Sequence, residues 1–313
     1  MVTYIVRRFL AILPVLAGAL VITFTLGYYG PGDPLSQHLG EQLPPDPKAL
    51  ALLRAYYGLD QPFHVQFGRW AWKLVQGDMG ISLAGSKRQV SEMVLAGFGV
   101  SAQLGGAAII VILVFGVTLG TWAALKANTR TDYLIVSLTA ILPTIPTFVL
   151  CPLALIIFVL ELQIMPHSHG WKGIFDSRAI LPVAILSIGP LLGVVRNMRS
   201  SVLEVLGQEY IRTARAKGVG QRLFLLRHVI RPALTPVVTS FGFMLSGLLT
   251  GSFFVEQAFG IPGYGSEYIR ALLLGDYPVI LGITIMLTLI VISANFIADI
   301  LYRIVDPRVN LDG

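Results

Sequence analysis

The sequence predicts an all-α integral membrane protein with six transmembrane helices. Of its 313 residues, 55% are hydrophobic and only 13% are charged, whereas a soluble domain carries about 25% charged residues. The mean hydropathy of +0.74 points the same way. Six runs contain no Asp, Glu, Lys or Arg, and each reaches the roughly 17 to 25 residues that a membrane-spanning helix needs. These runs cover residues 9–32, 93–125, 133–160, 179–195, 232–255 and 277–298.

The runs divide the chain into spans and loops within one predicted domain, residues 1–313. Arg7 and Arg8 precede a first run that is longer than the roughly 7 to 15 residues of a signal-peptide core, so we interpret it as an uncleaved span. We expect a long first extracytoplasmic loop over 31–92 and a cytoplasmic loop over 197–234. The six spans are placed at about residues 9–29, 98–124, 133–160, 179–196, 235–256 and 279–300.

The distribution of basic residues predicts the orientation. The proposed cytoplasmic pieces contain 14 Lys and Arg, and the proposed outer pieces contain 9 over a longer total length. Cytoplasmic loops of membrane proteins carry an excess of Lys and Arg, so both termini are predicted to be cytoplasmic. The net charge of +6 does not indicate nucleic-acid binding, because the basic residues flank apolar runs, where membrane lipid is the expected partner.

The first outer loop contains several local signals. PGDP at 31–34 and GDMGIS at 77–82 predict turns, and residues 49–57 predict a short helix. Residues 61–75 are rich in aromatic side chains and predict a helix. That helix either lies at the membrane interface or packs onto the spans, and the sequence leaves both open.

Prolines and glycines predict particular helix shapes in the spans. Pro143, Pro146 and Pro152 fall in the third run, which we therefore interpret as a bent, pore-adjacent helix. The alternative is that the kinks only shape packing. Gly116 and Gly120 form a GxxxG pattern, which allows two helices to approach closely.

A basic stretch in the second half of the chain stands apart from the spans. Residues 208–236 read QEYIRTARAKGVGQRLFLLRHVIRPALTP. We predict a short helix that ends at a left-handed Gly218, followed by a second helix over 221–229 that Pro232 and Pro236 limit. The stretch is either a solvated loop that sets topology or a docking surface for a soluble partner.

The sequence lacks the motifs of catalysis. It contains no GxSxG, HExxH or phosphate-binding GxxxxGK[ST] pattern, so we do not predict an enzyme. His167 and His169 form an HxH pair that lacks further ligands, and the single Cys151 cannot form an internal disulfide. Glu256 and Asp299 lie only at the ends of apolar runs, so the energy for any transport is expected from a separate chain.

Several motifs occur in a characteristic order. Beyond PGDP and GDMGIS, they are MVTYIVRRFLAILPVL at 1–16, YGLDQPFHVQFGRW at 57–70, YIRTARAKG at 210–218, EQAFGIPGYG at 256–265, DYPVILG at 276–282 and DPRVNL at 306–311. In this set the chain resembles the permease subunit of dipeptide and oligopeptide ABC importers, and in particular the first of their two paired permeases. Arg212 and Thr213 replace an acidic residue and an alanine of the general signature, as in the peptide-transport branch.

The resemblance implies a fold, a set of partners and a site. It implies the type I importer permease architecture, with a second homologous permease, two ABC ATPase subunits and an extracytoplasmic binding protein as partners. ATP and Mg²⁺ would bind the ATPases, and this chain would bind no cofactor. Nickel, an oligosaccharide or another small solute remains an alternative cargo to peptides, and the substrate pathway is not predicted.

By the same resemblance, the first helix of the basic stretch is a coupling helix that docks in a groove of one ATPase. The small side chains of Thr213 and Ala214 would let it sit deep, and Arg212 and Arg215 would pair with acidic residues there. Its residues are Glu209, Tyr210, Ile211, Arg212, Thr213, Ala214, Arg215, Lys217 and Gly218. Two alternatives from other functional classes are an intramembrane enzyme and a membrane receptor with a basic cytoplasmic loop.

Overall fold

The computed structural model describes residues 2–29, 48, 51, 52, 54, 55, 58, 60–83, 88–166 and 170–305. Within these residues the chain is helical apart from turns and one isolated antiparallel bridge between Ile81 and Gln89. The predicted turn at 31–34, the pair His167 and His169 and the motif at 306–311 lie outside the described residues, as does most of the helix predicted at 49–57. The all-α class predicted from composition is confirmed.

Thirteen α-helices are defined in the described part of the chain. They are α1 Val2–Tyr29, α2 Phe63–Val75, α3 Val90–Leu125, α4 Arg130–Ile141, α5 Thr147–Ala154, α6 Ile180–Leu206, α7 Glu209–Ala216, α8 Gln221–Leu223, α9 Arg231–Ala233, α10 Thr235–Thr239, α11 Phe241–Phe259, α12 Tyr264–Leu274 and α13 Tyr277–Val305. Short 3₁₀ turns lie at Leu142–Thr144 and Ser177–Ala179, and π-helical segments at Leu155–Glu161 and Phe224–Ile230.

Four stretches of the described helices are long and apolar enough to cross a membrane, and a bent pair of helices raises the number to five. The four are Leu10–Tyr29, Val90–Leu125, Ser177–Leu206 and Tyr277–Ala298, and the bent pair is Arg130–Thr144 with Thr147–Glu161. Helix α3, with 36 residues, is about 54 Å long and exceeds the roughly 30 Å of hydrocarbon. It therefore either tilts or extends beyond the bilayer.

The third apolar run is bent by 103°, which confirms the bend predicted from its prolines. Ile145 takes an extended conformation, with φ of −86° and ψ of 114°. The residue before a proline avoids the helical region, so Pro146 stops the first helix at this point. Pro146 itself, at ψ of 144°, then stands immediately before α5.

Helix α6 continues past the end that we predicted for its span. Val195, Met198, Val202 and Val205 recur at helical spacing and are buried, so the apolar face persists to Leu206. The charged residues of this part lie outside that face and do not interrupt the helix. Residues 197–206, predicted as the beginning of a loop, are therefore helical.

The second helix of the basic stretch is also longer than predicted. Helix α8, the following π-helical segment and α9 form one helical stretch, residues 221–233, which contains Pro232 instead of ending before it. After a turn at Leu234 comes α10, where Pro236 occupies the first turn. A proline is tolerated there because the first N–H groups of a helix have no intrahelical acceptor.

The chain forms two compact units. One comprises Met1–Ser101 and Pro262–Ile292, and the other Ala102–Ile261 and Ser293–Gly313.

In the first unit, α2 packs on α1 through aromatic rings. The ring centroid of Phe24 lies 5.5 Å from that of Phe63, 5.4 Å from that of Phe67 and 5.1 Å from that of Trp70. Each such pair contributes about 0.5–1.5 kcal/mol beyond its buried area. The helix predicted over 61–75 is thus confirmed and packs on the first apolar helix, while Trp72 on its other side is 65% exposed.

The same unit contains a close approach between α3 and α12. A Cβ on Gly97 would lie 2.8 Å from the backbone nitrogen of Tyr264, so only glycine fits there. The backbone N–H of Tyr264 donates to the Ser101 hydroxyl at 3.1 Å. These contacts hold the beginning of α12 against the first turns of α3.

In the second unit, the GxxxG pattern marks the contact between α3 and α6. A Cβ on Gly116 would lie 2.7 Å from Val194, and one on Gly120 would lie 2.6 Å from both the Met198 Cβ and the Val195 carbonyl oxygen. Two backbones can approach this closely only where one of them carries no side chain. The pattern therefore has the role that the sequence predicted for it.

Candidate functional site

Helix α7 carries the site residues predicted from the sequence. Glu209 lies in its first turn and Arg215 in its last, the arrangement that the helix dipole favours. Gly218 follows with φ of 68°, the left-handed conformation predicted for it. Its N–H donates to the carbonyl of Arg215 at 3.0 Å, and the N–H of Val219 donates to that of Ala214 at 3.5 Å. This pair of bonds is a Schellman motif, so the glycine ends the helix and turns the chain.

The faces of α7 differ from those we predicted. Ile211 and Ala214 are its buried residues, with 0% and 7% exposed surface. The sequence interpretation had placed Ala214 beside Thr213 as a small residue facing a partner. Of these two residues, only Thr213 is exposed in the structure. The small side chain of Ala214 instead allows α7 to pack closely on its own chain.

The exposed residues of α7 and its end form a basic surface. Of the predicted site residues it contains Glu209, Tyr210, Arg212, Thr213, Arg215, Lys217 and Gly218. The ion pair between Arg212 and Glu209 spans 3.2 Å, but both side chains are more than three-quarters exposed, so it contributes little stability. Among the described residues, no carboxylate reaches Arg215 or Lys217, and the surface suits an acidic partner.

Two contacts fix α7 to the helical stretch 221–233. The guanidinium of Arg215 lies 5.2 Å from the ring centroid of Phe224, a cation–π distance. The Tyr210 hydroxyl donates to the backbone carbonyl of His228 at 3.3 Å. Partial burial raises the pKa of the Tyr210 phenol above its ordinary value, so the group remains a protonated donor at physiological pH.

The Tyr210 contact explains how Pro232 is accommodated inside a helical stretch. A proline has no N–H to donate to the carbonyl four residues earlier, which here is that of His228. The hydroxyl of Tyr210 donates to this carbonyl instead. Tyr210 therefore compensates for the proline and at the same time attaches α7 to the next helix.

A buried ion pair lies between α4 and α6, and the sequence analysis missed it. Arg199 donates through Nε to Asp132 Oδ1 at 2.6 Å and through Nη2 to Oδ2 at 2.8 Å. The Asp132 side chain is 2% exposed and that of Arg199 is 28% exposed. The only local signal was an acidic residue in the first turn of α4, which is common at helix N-termini and does not identify a partner.

A second missed carboxylate joins two parts of the first unit. Asp276, which is 3% exposed, accepts a hydrogen bond from the Ser82 hydroxyl at 2.6 Å and from the N–H of Leu83 at 3.1 Å. The residues that precede α3 are thereby held to the beginning of α13. Two of the motifs that carry the family resemblance, GDMGIS and DYPVILG, thus meet at this point.

The structure contains no arrangement that indicates a metal site within its described residues. No group of three or more His, Cys, Asp or Glu side chains there is placed to hold an ion. Cys151 is a buried free cysteine in α5.

Comparison with known proteins identifies the family. Residues 116–311 match the family described as binding-protein-dependent transport system inner membrane component, and residues 1–89 match the corresponding N-terminal family. The oligopeptide transport system permease protein OppB of Haemophilus influenzae is 38% identical over 99% of both chains. OppB of Salmonella typhimurium is 37% identical over 99% of both, and the dipeptide transport system permease protein DppB of Bacillus subtilis is 35% identical over 99% of both. Matches of this extent, together with the apolar helices, show that the chain is a multi-pass membrane protein belonging to the binding-protein-dependent transport system inner membrane components.

Proposed function

We propose that this chain is the permease subunit of an ATP-driven ABC importer and forms half of the pathway for dipeptides or oligopeptides. It is a transport component and not an enzyme. The observation that carries the peptide assignment is similarity over 99% of the chain to permeases named for oligopeptide and dipeptide transport. No relative reported above is named for nickel or an oligosaccharide, so peptides are the favoured cargo.

The proposed topology has six spans within one permease domain and places both termini in the cytoplasm. Five spans correspond to the apolar stretches, with the bent pair as the third. The sixth is α11, whose 19 residues carry no charge except Glu256 near its end. The excess of Lys and Arg in the proposed cytoplasmic pieces supports this orientation.

The proposed partners are a homologous permease, two ABC ATPase subunits and an extracytoplasmic binding protein. In this assembly α7 is the coupling helix, and its exposed basic surface contacts one ATPase. The ATPases bind ATP and Mg²⁺, and this chain supplies no ligand to either. Movement of α7 when the ATPases close would be carried into α6, because only Gly207 and Gln208 separate the two helices.

Reconstitution tests the proposal. The chain is purified with its second permease and ATPases, inserted into liposomes and supplied with ATP inside and with the binding protein loaded with a labelled tripeptide outside. We expect tripeptide accumulation that requires ATP and stops when the P-loop lysine of the ATPases is replaced. Labelled Ni²⁺ in place of the tripeptide should not accumulate. Accumulation of tripeptide by this chain alone would refute an ATPase-driven mechanism.

A further inference from the structure

We propose that Asp132 and Arg199 are positioning residues that transmit the movement of the coupling helix to the bent span. This inference rests on the proposed function, because it assigns the pair a role in the ATP-driven cycle. The ion pair joins the turn between α3 and α4 to the part of α6 that leads into α7. We call this arrangement the Asp132–Arg199 clasp.

On its α4 side, the clasp is held by further hydrogen bonds. Besides the two bonds from Arg199, Asp132 Oδ2 accepts the N–H of Asn128 at 2.9 Å. Asn128 has a φ of 64°, the left-handed conformation that asparagine adopts more readily than most residues other than glycine. The turn is closed further by the Thr129 hydroxyl, which donates to the Lys126 carbonyl at 2.6 Å. One carboxylate therefore fixes both the turn and the first turn of α4.

Helix α6 extends without a break from the clasp towards α7. Arg199 lies on the same uninterrupted helix as the residues just before α7, and it stands about 10 Å before the end of that helix. On the neighbouring face, Val195 and Met198 contact Gly120 of α3 too closely to admit a Cβ. Within one turn of α6, Val195 and Met198 pack on α3 and Arg199 binds α4. We therefore expect this part of α6 to move together with both helices.

Helix α4 connects the clasp to the bent part of the third apolar run. Helix α4 ends at Ile141 and leads through the 3₁₀ turn Leu142–Thr144 to the 103° bend of the third apolar run. A displacement of α7 that α6 carries therefore reaches the bent segment both through the clasp and through the direct contacts of α6 with the 3₁₀ turn Leu142–Thr144 and with α5. Since a bidentate Arg–carboxylate pair fixes both distance and orientation, it transmits rotation as well as translation. An apolar contact in its place would fix the relative orientation of the two helices less strictly, because the hydrophobic effect is non-directional.

The experiment separates this role from simple stabilisation. Removing only Arg199 leaves a buried carboxylate without its partner, which strongly destabilises a protein, whereas removing both charges is often tolerated. In the double variant Asp132→Asn with Arg199→Met, the side-chain carbonyl introduced at position 132 still accepts the N–H of Asn128, but no bond joins α4 to α6. The matched control is Arg196→Gln, an exposed arginine one turn earlier on α6.

The complete complex is reconstituted, and the yield of assembled complex, the ATPase rate and the tripeptides accumulated per ATP are measured. We expect the double variant and the control to assemble like the wild type. Tripeptides per ATP should fall about ten-fold or more in the double variant alone, because α4 no longer follows the movement of α6 and the loss of such coupling is typically worth about 5- to 150-fold. A wild-type ratio in the double variant would overturn the proposal.

Arg199→Lys keeps the charge but loses the second hydrogen bond, and it serves if the double variant does not assemble. We expect it to assemble and to show a smaller but measurable fall in tripeptides per ATP. An unchanged ratio in this variant would also overturn the clasp. If the wild-type complex itself shows no ATP-dependent tripeptide uptake, the proposed function fails, and that result is distinct from either outcome for the variants.

Discussion

Replacing Gly218 by valine tests whether the left-handed turn after α7 is needed for coupling. The glycine has φ of 68°, and a Cβ at this position would meet no heavy atom within 4 Å. Crowding is therefore excluded, and the effect of the substitution arises from backbone conformation alone. A left-handed conformation costs an L-residue about 1–2 kcal/mol, and a β-branched residue resists it more strongly. A cost of this size shifts the equilibrium between the observed turn and other conformations about 5- to 30-fold.

The assay measures ATP hydrolysis and tripeptide uptake by the reconstituted complex. We expect the Gly218→Val variant to hydrolyse ATP but to transport about 5- to 30-fold fewer tripeptides per ATP, because α7 no longer has a fixed orientation. Gly218→Asn should fall between it and the wild type, since asparagine tolerates this conformation. Gly220→Val is the matched control: Gly220 has φ of −55° and its surroundings are equally open. Wild-type coupling in the Gly218→Val variant, or an equal loss in the control, would refute the reasoning.

Three further predictions concern packing, docking and attachment. Gly120→Ala should lower the thermal stability of the complex by the equivalent of about 1–3 kcal/mol, because its Cβ would overlap α6, whereas Gly105→Ala on the same helix meets open space and should have little effect. Reversing Arg212 and Arg215 to Glu should reduce co-purification of the ATPases most strongly at low salt, where surface charges are least screened; unchanged co-purification across salt concentrations would contradict the docking role. Tyr210→Phe removes one hydrogen bond and should weaken attachment of α7 by about 0.5–1.5 kcal/mol, seen as faster hydrogen exchange in α7.

Much of the helical architecture follows from local sequence. Apolar runs identify the long helices because a span must be both apolar and long. The bend and the left-handed turn could be predicted because Pro146 and Gly218 restrict or release the backbone through their own covalent structure. Such signals need no knowledge of what surrounds the residue.

The faces of α7 could not be predicted in the same way. In a helix of 8 residues, several sets of positions fit a period of 3.6. Ala214 fits a set of positions with Tyr210 and Lys217, and it also fits the set with Ile211 that the structure buries. The choice depends on where the stretch 221–233 returns to pack, which is a tertiary property. Helix α6 continues beyond the predicted span because charged residues limit the part of a helix that enters the membrane but do not end the helix itself.

The buried polar pairs could not be predicted from the sequence because the two residues of each pair are far apart in the chain. Asp132 and Arg199 are separated by 67 positions, and Ser82 and Asp276 by 194. Neither pair forms a recognisable spacing, and each carboxylate alone resembles an ordinary polar residue at the end of a helix. Motifs recognised as typical of the family did include Ser82 and Asp276, but a motif does not state which of its residues meet.

The positions of the carboxylates bear on how the chain obtains energy. In the described apolar helices every acidic residue lies within about two turns of a helix end. Asp132 accepts the N–H of Asn128 in the preceding turn, and Asp276 accepts that of Leu83 from a segment far away in the sequence, so each holds a loop to a helix. A carrier driven by protons or sodium ions typically uses such groups near the middle of the membrane, where their charge can be neutralised during each cycle. Here Asp132 and Asp276 instead lie at the ends of helices, which fits the proposed import driven by separate ATPase subunits.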